Sequence, residues 1–350
     1  MTHAQSRDRA TVACIAVGAT LVVTLAGCSP GEAPASSRSP EPTAAATPTV
    51  ADGEEWLLYQ AFWDAIDLAL VRPDGSGFQR LPGGPGNRWH PDWSPDGEWI
   101  AYDHVHDDVT DVWLTTAAGS GDRALTSCTG ACLGMGGAAW APDGTLVGFD
   151  SAEGPSEAFP DGVCWIGTVD VGDGAINRIV EIPGCAGGGG DGALSSLLFL
   201  DFSPDGQTIA VEGRDDAGRT AIFTVGADGQ GLTRITDWGL GARPDWSPDG
   251  EWITFMSGEA DAGTQGVISV HRVRPDGSEL EQLTDPEGTR IDVYPEYAPD
   301  GTGIIYSRCP APEAPACEAR LLSLDGAEDE LLLTPEGFNP VHVVVRPTSD

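Results

Sequence analysis

The sequence contains no lysine. Its 18 basic residues are all arginine and face 54 acidic ones, for a net charge of −36. A chain this acidic repels nucleic acid and anionic membrane surfaces, which removes both as partners of the folded body. Catalytic signatures are equally scarce. No H-E-x-x-H occurs, and the G-x-S-x-G match, GCSPG at 27–31, falls where no strand-turn-helix elbow can form. The G-x-G-x-x-G beginning at Gly187 sits in a glycine-rich stretch with no helical pattern after it, so it is no nucleotide motif. Helical periodicity is missing from residue 51 onward, which points to an all-β chain. These absences favour a non-enzyme with no resident cofactor.

What is present is repetition. PDWSPDGEWI stands at 91–100, and PDWSPDGEWI returns at 244–253. WAPDGTLVGF (140–149), FSPDGQTIAV (202–211) and YAPDGTGIIY (297–306) are weaker copies, and ADGEEWLLY (51–59) a degenerate one. Aligned on Asp-Gly, the copies begin at Asp52, Asp96, Asp143, Asp205, Asp249 and Asp300, spaced by 44, 47, 62, 44 and 51 residues. A period in this range signals a repeat architecture.

Each copy reads as a hairpin. In Ser-Pro-Asp-Gly, Pro95 presets φ, Ser94 and Asp96 bond locally, and Gly97 takes the left-handed position. An aromatic before the turn (Trp93, Trp140, Phe202, Trp246, Tyr297) ends one strand, and an apolar run begins the next. Segments such as DVWLTTAAGSGDRALT (111–126) add two more strands. Four-stranded units of this length, arranged radially, are propeller blades. The first copy lacks an inner strand, and the C-terminal VHVVV (341–345) is an inner strand without a turn. The expected fold is therefore a six-bladed β-propeller over residues 51–350, with four-stranded antiparallel blades closed by Val341–Val345.

The W-S-P-D-G turns, the Leu-Thr blade ends and the RPDGSG outer turns resemble the six-bladed propeller of TolB-type proteins over roughly residues 51–346. Similar repeats occur in propellers of prolyl-oligopeptidase-type peptidases and of some polysaccharide lyases, so the resemblance is specific for fold. It implies a scaffold or binding role. No counterpart of TolB's N-terminal domain is expected, since the repeats fill the chain beyond the linker.

The N-terminal residues read as an address. Arg7 and Arg9 precede an apolar run, Ala10 to Leu25, closed by LAGC at 25–28. LAGC resembles the lipobox of bacterial lipoproteins, which implies a signal peptide at 1–27 and lipidation (diacylglycerol and palmitate) at Cys28. Residues 28–50 then form an Ala/Pro/Ser/Thr linker reaching at most roughly 70 Å if proline stiffness dominates. The chain is expected to be extracytoplasmic, held to the cell membrane only through its lipid.

Cys14 leaves with the signal, and six cysteines remain after Cys28. An even number in an exported chain argues for disulfides. The blade register suggests Cys128–Cys132 across a small loop, Cys164–Cys185 across a hairpin, and Cys309–Cys317 flanking a loop.

All these cysteines fall on one face. The turns between first and second strands and between third and fourth are short, whereas the opposite face carries the long loops. That rim is the expected site. Candidate ligand-binding residues are Trp63, Arg88, Trp89, His90 and Arg243, with Trp89 equally suited to packing. In DHVHDD (103–108), His104 and His106 share one side of the chain and, with Asp107, make a candidate divalent-metal site. The expected function is a monomeric binding or scaffold module for a protein, peptide or glycan. The alternatives are a metal-assisted polysaccharide lyase or hydrolase, and an accessory lipoprotein of a membrane sensor or transporter. The anchor is directly testable: Cys28→Ser should abolish metabolic lipid labelling of the chain, and labelling that persists contradicts the lipobox.

Overall fold

The computed structural model describes residues 54–348 apart from 63–64, 84–85, 108, 158, 186–193, 258–267, 287–289, 311–316, 325–328 and 333–338. The signal segment, Cys28, the linker and Trp63 lie outside the described residues.

Five inner strands end at the aromatic that precedes a Pro-Asp-Gly turn. These strands are Asn87–Trp93, Cys132–Trp140, Leu194–Phe202, Ala242–Trp246 and Ile291–Tyr297. The turn closes as its residues dictate. Gly97 N–H donates to the Ser94 carbonyl at 2.8 Å, and Gly97 has φ 66°. Asp96 accepts from the Ser94 hydroxyl and the Glu98 N–H, so the loop is tied by its own residues. Each turn leads back into a second strand that is apolar on both faces, because a blade is covered by a neighbour on either side.

The result, among the described residues, is six four-stranded antiparallel sheets. Five are built from consecutive strands. In the first blade, Leu57–Phe62, Ile66–Val71 and Gln79–Arg80 receive the C-terminal strand Pro340–Val345 as their inner member. Val343 pairs with Tyr59 and Val345 with Leu57. The closing C-terminal strand thus completes the first sheet with the N-terminal strands, and the ring of blades closes.

The core lies in the seams between blades. Leu58, Leu68 and Leu70 of the first blade pack against Trp93, Ile100 and Tyr102 of the second. Val112 and Leu114 of the second meet Trp140, Phe149 and Trp165 of the third. On the closing side, Tyr59, Val343 and Val345 pack on Ile305 and Ala319 of the sixth blade. Arg346 follows the closing strand and is buried. Its N–H donates to the Trp56 carbonyl at 2.8 Å and its Nε to the Gly97 carbonyl at 2.9 Å, fastening the last strand to the turn of the second blade.

Three disulfides join Cys128 to Cys132, Cys164 to Cys185 and Cys309 to Cys317, the pairs that the blade register suggests. Cys164 stands in the third strand of the third blade, and Cys185 just past an outer strand that runs for eight residues, Ile176–Pro183. The outer strands of the other blades have two or three residues. Bridges of this kind place folding in an oxidising, extracytoplasmic compartment.

Candidate functional site

Inner strands line the axis of a propeller, so their side chains decide what the channel can hold. Here each inner strand carries an interruption. Pairing with the second strand slips after Trp89, Gly136, Leu198, Ala242 and Val293. The residue at the slip has a left-handed backbone: His90 (φ 46°), Gly137 (66°), Phe199 (43°), Arg243 (56°) and Tyr294 (54°). Four of the six described non-glycine residues with positive φ therefore occupy one structural position. Such a conformation costs a side-chain-bearing residue roughly 1–2 kcal/mol, so something must hold it.

The preceding blade does so. Gln60 Oε1 accepts the His90 N–H at 2.7 Å, and Asp103 Oδ2 accepts that of Gly137 at 2.9 Å. Asp150 Oδ1 accepts from Phe199 at 3.1 Å, and Glu212 Oε2 from Arg243 at 3.2 Å. The acceptors are equivalent, each following a buried residue of the second strand (Tyr59, Tyr102, Phe149, Val211). A second series lies nearer the turns. Asp92, Asp201 and Asp245 accept the N–H of Trp140, Trp246 and Tyr297 in the following blade, each at 2.7 Å. Glu296 Oε1 meets His342 Nε2 at 2.6 Å.

The bulges aim planar side chains at the axis, where they form one stacked arc. The His90 and Phe199 rings meet edge to face at 5.0 Å. The Arg243 guanidinium lies 3.3 Å from the Phe199 centroid and 4.8 Å from that of Tyr294. Tyr294 stacks on His342 at 5.0 Å. The third blade contributes Gly137, where a Cβ would fall 2.5 Å from Asp150 Oδ1 and 3.3 Å from the Phe199 nitrogen. That gap lets His90 reach Phe199. Outward, the arc continues through Trp89 (5.9 Å from His90) to Phe62 (6.3 Å from Trp89), which is 47% exposed at the rim. The cavity beside the arc measures about 80 Å³ and is also lined by Asp92, Asp201, Asp245 and Glu296. It has room for a few waters or one small ligand group.

Burial dominates its electrostatics. It pushes the carboxyls of Asp92 and Asp245 well above the usual range, Asp201 up to about 7 and Asp150 up to about 8. Burial, reinforced by the Arg243 charge, pushes His90 down to about 4, although Asp103 Oδ2 lies 2.7 Å from its Nδ1. At neutral pH the proton of His90 sits on Nδ1, towards Asp103, and Nε2 faces inward as an acceptor with no partner. On His342, Nε2 lies 2.6 Å from Glu296 Oε1 and Nδ1 is buried without a partner. The Arg243 guanidinium meets rings, and no hydrogen-bond acceptor among the described residues.

No family model matches the sequence. A TolB homolog from Chlorobium luteolum is 30% identical over 133 residues, which is 36% of this chain and 28% of that one. The chain spans less than half the length of the relatives it matches in sequence. Among solved structures, TolB from Acinetobacter baumannii superposes with a TM-score of 0.63 at 19% identity, over 85% of this chain and 67% of that one. The fold is TolB-like. An oligogalacturonate lyase in complex with manganese is also similar, with a TM-score of 0.55 at 17% identity over 81% and 77% of the two chains. At these identities the TolB-like likeness is one of architecture.

The candidates taken from sequence divide. His90 and Arg243 stand on the axis, and Trp89 links them to the rim. Arg88 does not join them, a correction to its place among the ligand-binding candidates. It is 3% exposed, paired with Asp67, and donates to the Leu81 carbonyl at 2.6 Å. The reason is the bulge: two residues apart in a regular strand, Arg88 and His90 would share a side, but the slip after Trp89 turns one into the seam and the other to the axis. His104 and His106 do come together, with rings stacked at 5.0 Å and Trp113 edge-on to both. Asp107 sits at the hairpin tip with φ 48°. Among the described residues no three His, Cys, Asp or Glu side chains gather to hold a metal ion. Phe199, Tyr294 and His342 were not singled out from sequence. The available signal was the column three residues before the strand-ending aromatic, in HPDW (90–93), FLDF (199–202), RPDW (243–246) and YPEY (294–297).

The buried acids make stability depend on pH. Asp150 holds its proton up to about pH 8 when folded, against 3.8 as its ordinary value. Between those values folding retains a proton that the unfolded chain has lost, so stability falls as pH rises, by at most ~1.4 kcal/mol per unit. Asp150→Asn keeps an acceptor for Phe199 and removes the ionisation. Its melting temperature relative to wild type should rise from pH 5 to pH 8 by about 2–6 °C. The depressed His90 titration runs in the opposite sense but is common to both proteins and cancels. A variant less stable than wild type by the same margin at both pH values contradicts the assignment.

Proposed function

We propose that the propeller is an extracytoplasmic binding module, tethered through Cys28, that receives a protein partner on its long-loop rim. One observation carries this reading: a stacked series of side chains runs from the exposed Phe62 at the rim, through Trp89, to the cavity on the axis. Strained backbone is retained where the surroundings over-determine it, and here the strain is spent on turning rings and a guanidinium towards the channel. Loop asymmetry supports the same face, since long loops carry an ordering cost that stability alone would not select. The lyase alternative has fold likeness behind it, but among the described residues no metal-holding cluster gathers. Scaffolding needs none.

Matched surface changes test the face. Phe62→Asp with Leu133→Asp alters two exposed apolar side chains on the rim, and Phe78→Asp with Leu280→Asp alters two on the short-turn face. In affinity capture from envelope extracts, the rim pair should reduce recovery of the partner at least tenfold, while the turn pair leaves it unchanged and both keep the wild-type melting temperature. Loss of capture by the turn pair alone would place the interface on the other face.

A further inference from the structure

The cavity at the end of this track has a defined chemistry. Arg243 brings the donors of a guanidinium that is oriented by Phe199 and Tyr294 and bonded to no acceptor among the described residues. Its main chain is fixed as well, because its N–H is bound by Glu212 across the blade seam. Two imidazoles complete the set from other blades. Both residues line the cavity; His90 Nε2 and His342 Nδ1 are buried without partners, and His342 is only 7% exposed. Each ring is oriented from behind by a carboxylate, Asp103 for His90 and Glu296 for His342. Arg243, His90 and His342 thus line a space of about 80 Å³, with the guanidinium donating and the neutral His90 imidazole able to accept.

A complementary group must accept two hydrogen bonds in a plane and offer a donor close beside them. A lone carboxylate side chain satisfies the guanidinium and leaves the imidazoles unmet. The end of a peptide satisfies both, since the α-carboxylate is flanked by the last amide N–H. We infer that the cavity receives the free C-terminus of a partner peptide, with its carboxylate on Arg243 and its amide on His90 or His342.

The carboxyls that line the cavity already have partners: Asp92, Asp201 and Asp245 accept backbone N–H groups of the next blade, and Glu296 lies 2.6 Å from His342. Burial pushes the carboxyls of Asp92 and Asp245 well above the usual range. The whole-molecule charge of −36 narrows the ligand further. A polyuronate carrying a carboxylate on every ring is repelled from such a surface, whereas a neutral or basic chain ending in one carboxylate is not. The cavity admits only a terminal group, so the rest of the segment lies along Trp89 and Phe62 towards the rim. This inference rests on the protein-binding reading above and specifies the anchor of that partner.

The test uses acetyl-trialanine with a free carboxyl end, its C-terminal amide, and digalacturonate, each titrated into the full chain and followed by the imidazole NMR signals of His90 and His342. The free acid should bind saturably and shift both signals, and the amide at least tenfold more weakly. Arg243→Gln should bring the acid down to the level of the amide while the melting temperature stays within a few degrees. Equal binding of acid and amide, unchanged acid binding in Arg243→Gln, or no saturable binding of the acid overturns the inference. Tighter binding of digalacturonate than of the peptide also overturns it and assigns the cavity to an acidic sugar. If the peptides fail while Phe62→Asp with Leu133→Asp still loses capture, the clamp falls and the rim reading stands. If that pair retains capture, the rim reading itself falls.

Discussion

The structure turns on one hydrogen bond repeated around a ring. A carboxylate or amide oxygen from the second strand of one blade accepts the N–H of a left-handed residue in the inner strand of the next. This contact does three things together. It satisfies a donor that the strand ladder cannot use once the register has slipped. It stabilises a conformation that side-chain-bearing residues otherwise avoid. It also locks neighbouring blades in register, so that His90, Phe199 and Arg243 reach the axis at heights where their side chains stack. Where the fifth and sixth blades offer Met256 and Ser307 at the acceptor position, Tyr294 and His342 are held instead by stacking and by Glu296.

That arrangement explains why so many acids sit in a hydrophobic body. A carboxylate buried to receive a backbone N–H is desolvated, and its proton affinity rises accordingly. Asp92, Asp150, Asp201 and Asp245 all show this upward shift, and each serves an N–H of the next blade. Arg243 is the one arginine among the residues that line the cavity. Structural acids and a single oriented cation are therefore two sides of one packing solution.

Much of this was legible in the sequence. The Ser-Pro-Asp-Gly turns, the aromatics that end the inner strands, the closing strand at Val341–Val345 and all three disulfide pairs follow from local turn chemistry and strand register, which are written residue by residue. The site was legible in part. His90 and Arg243 stood out as polar residues expected on the long-loop rim, while Phe199 and Tyr294 were hidden because a phenylalanine or tyrosine in a strand reads as core. Arg88 misled for a physical reason: strand alternation predicts its direction, and the bulge at His90 reverses it. A bulge depends on an acceptor from another blade, some 30 to 50 positions away in the chain. Local sequence does not reveal such a partner, and the stacking of residues from five blades is visible only once the ring has closed.

The central claim is that the inner strands and the long-loop rim, held in this geometry, are where the partner sits. Hydrogen exchange of the chain alone and in complex with its captured partner tests it most directly. The account predicts added protection in peptides spanning 81–90 and 235–243 and unchanged exchange at the turns 94–98 and 247–251. Protection confined to those turns, with the rim and the inner strands unaltered, would contradict it.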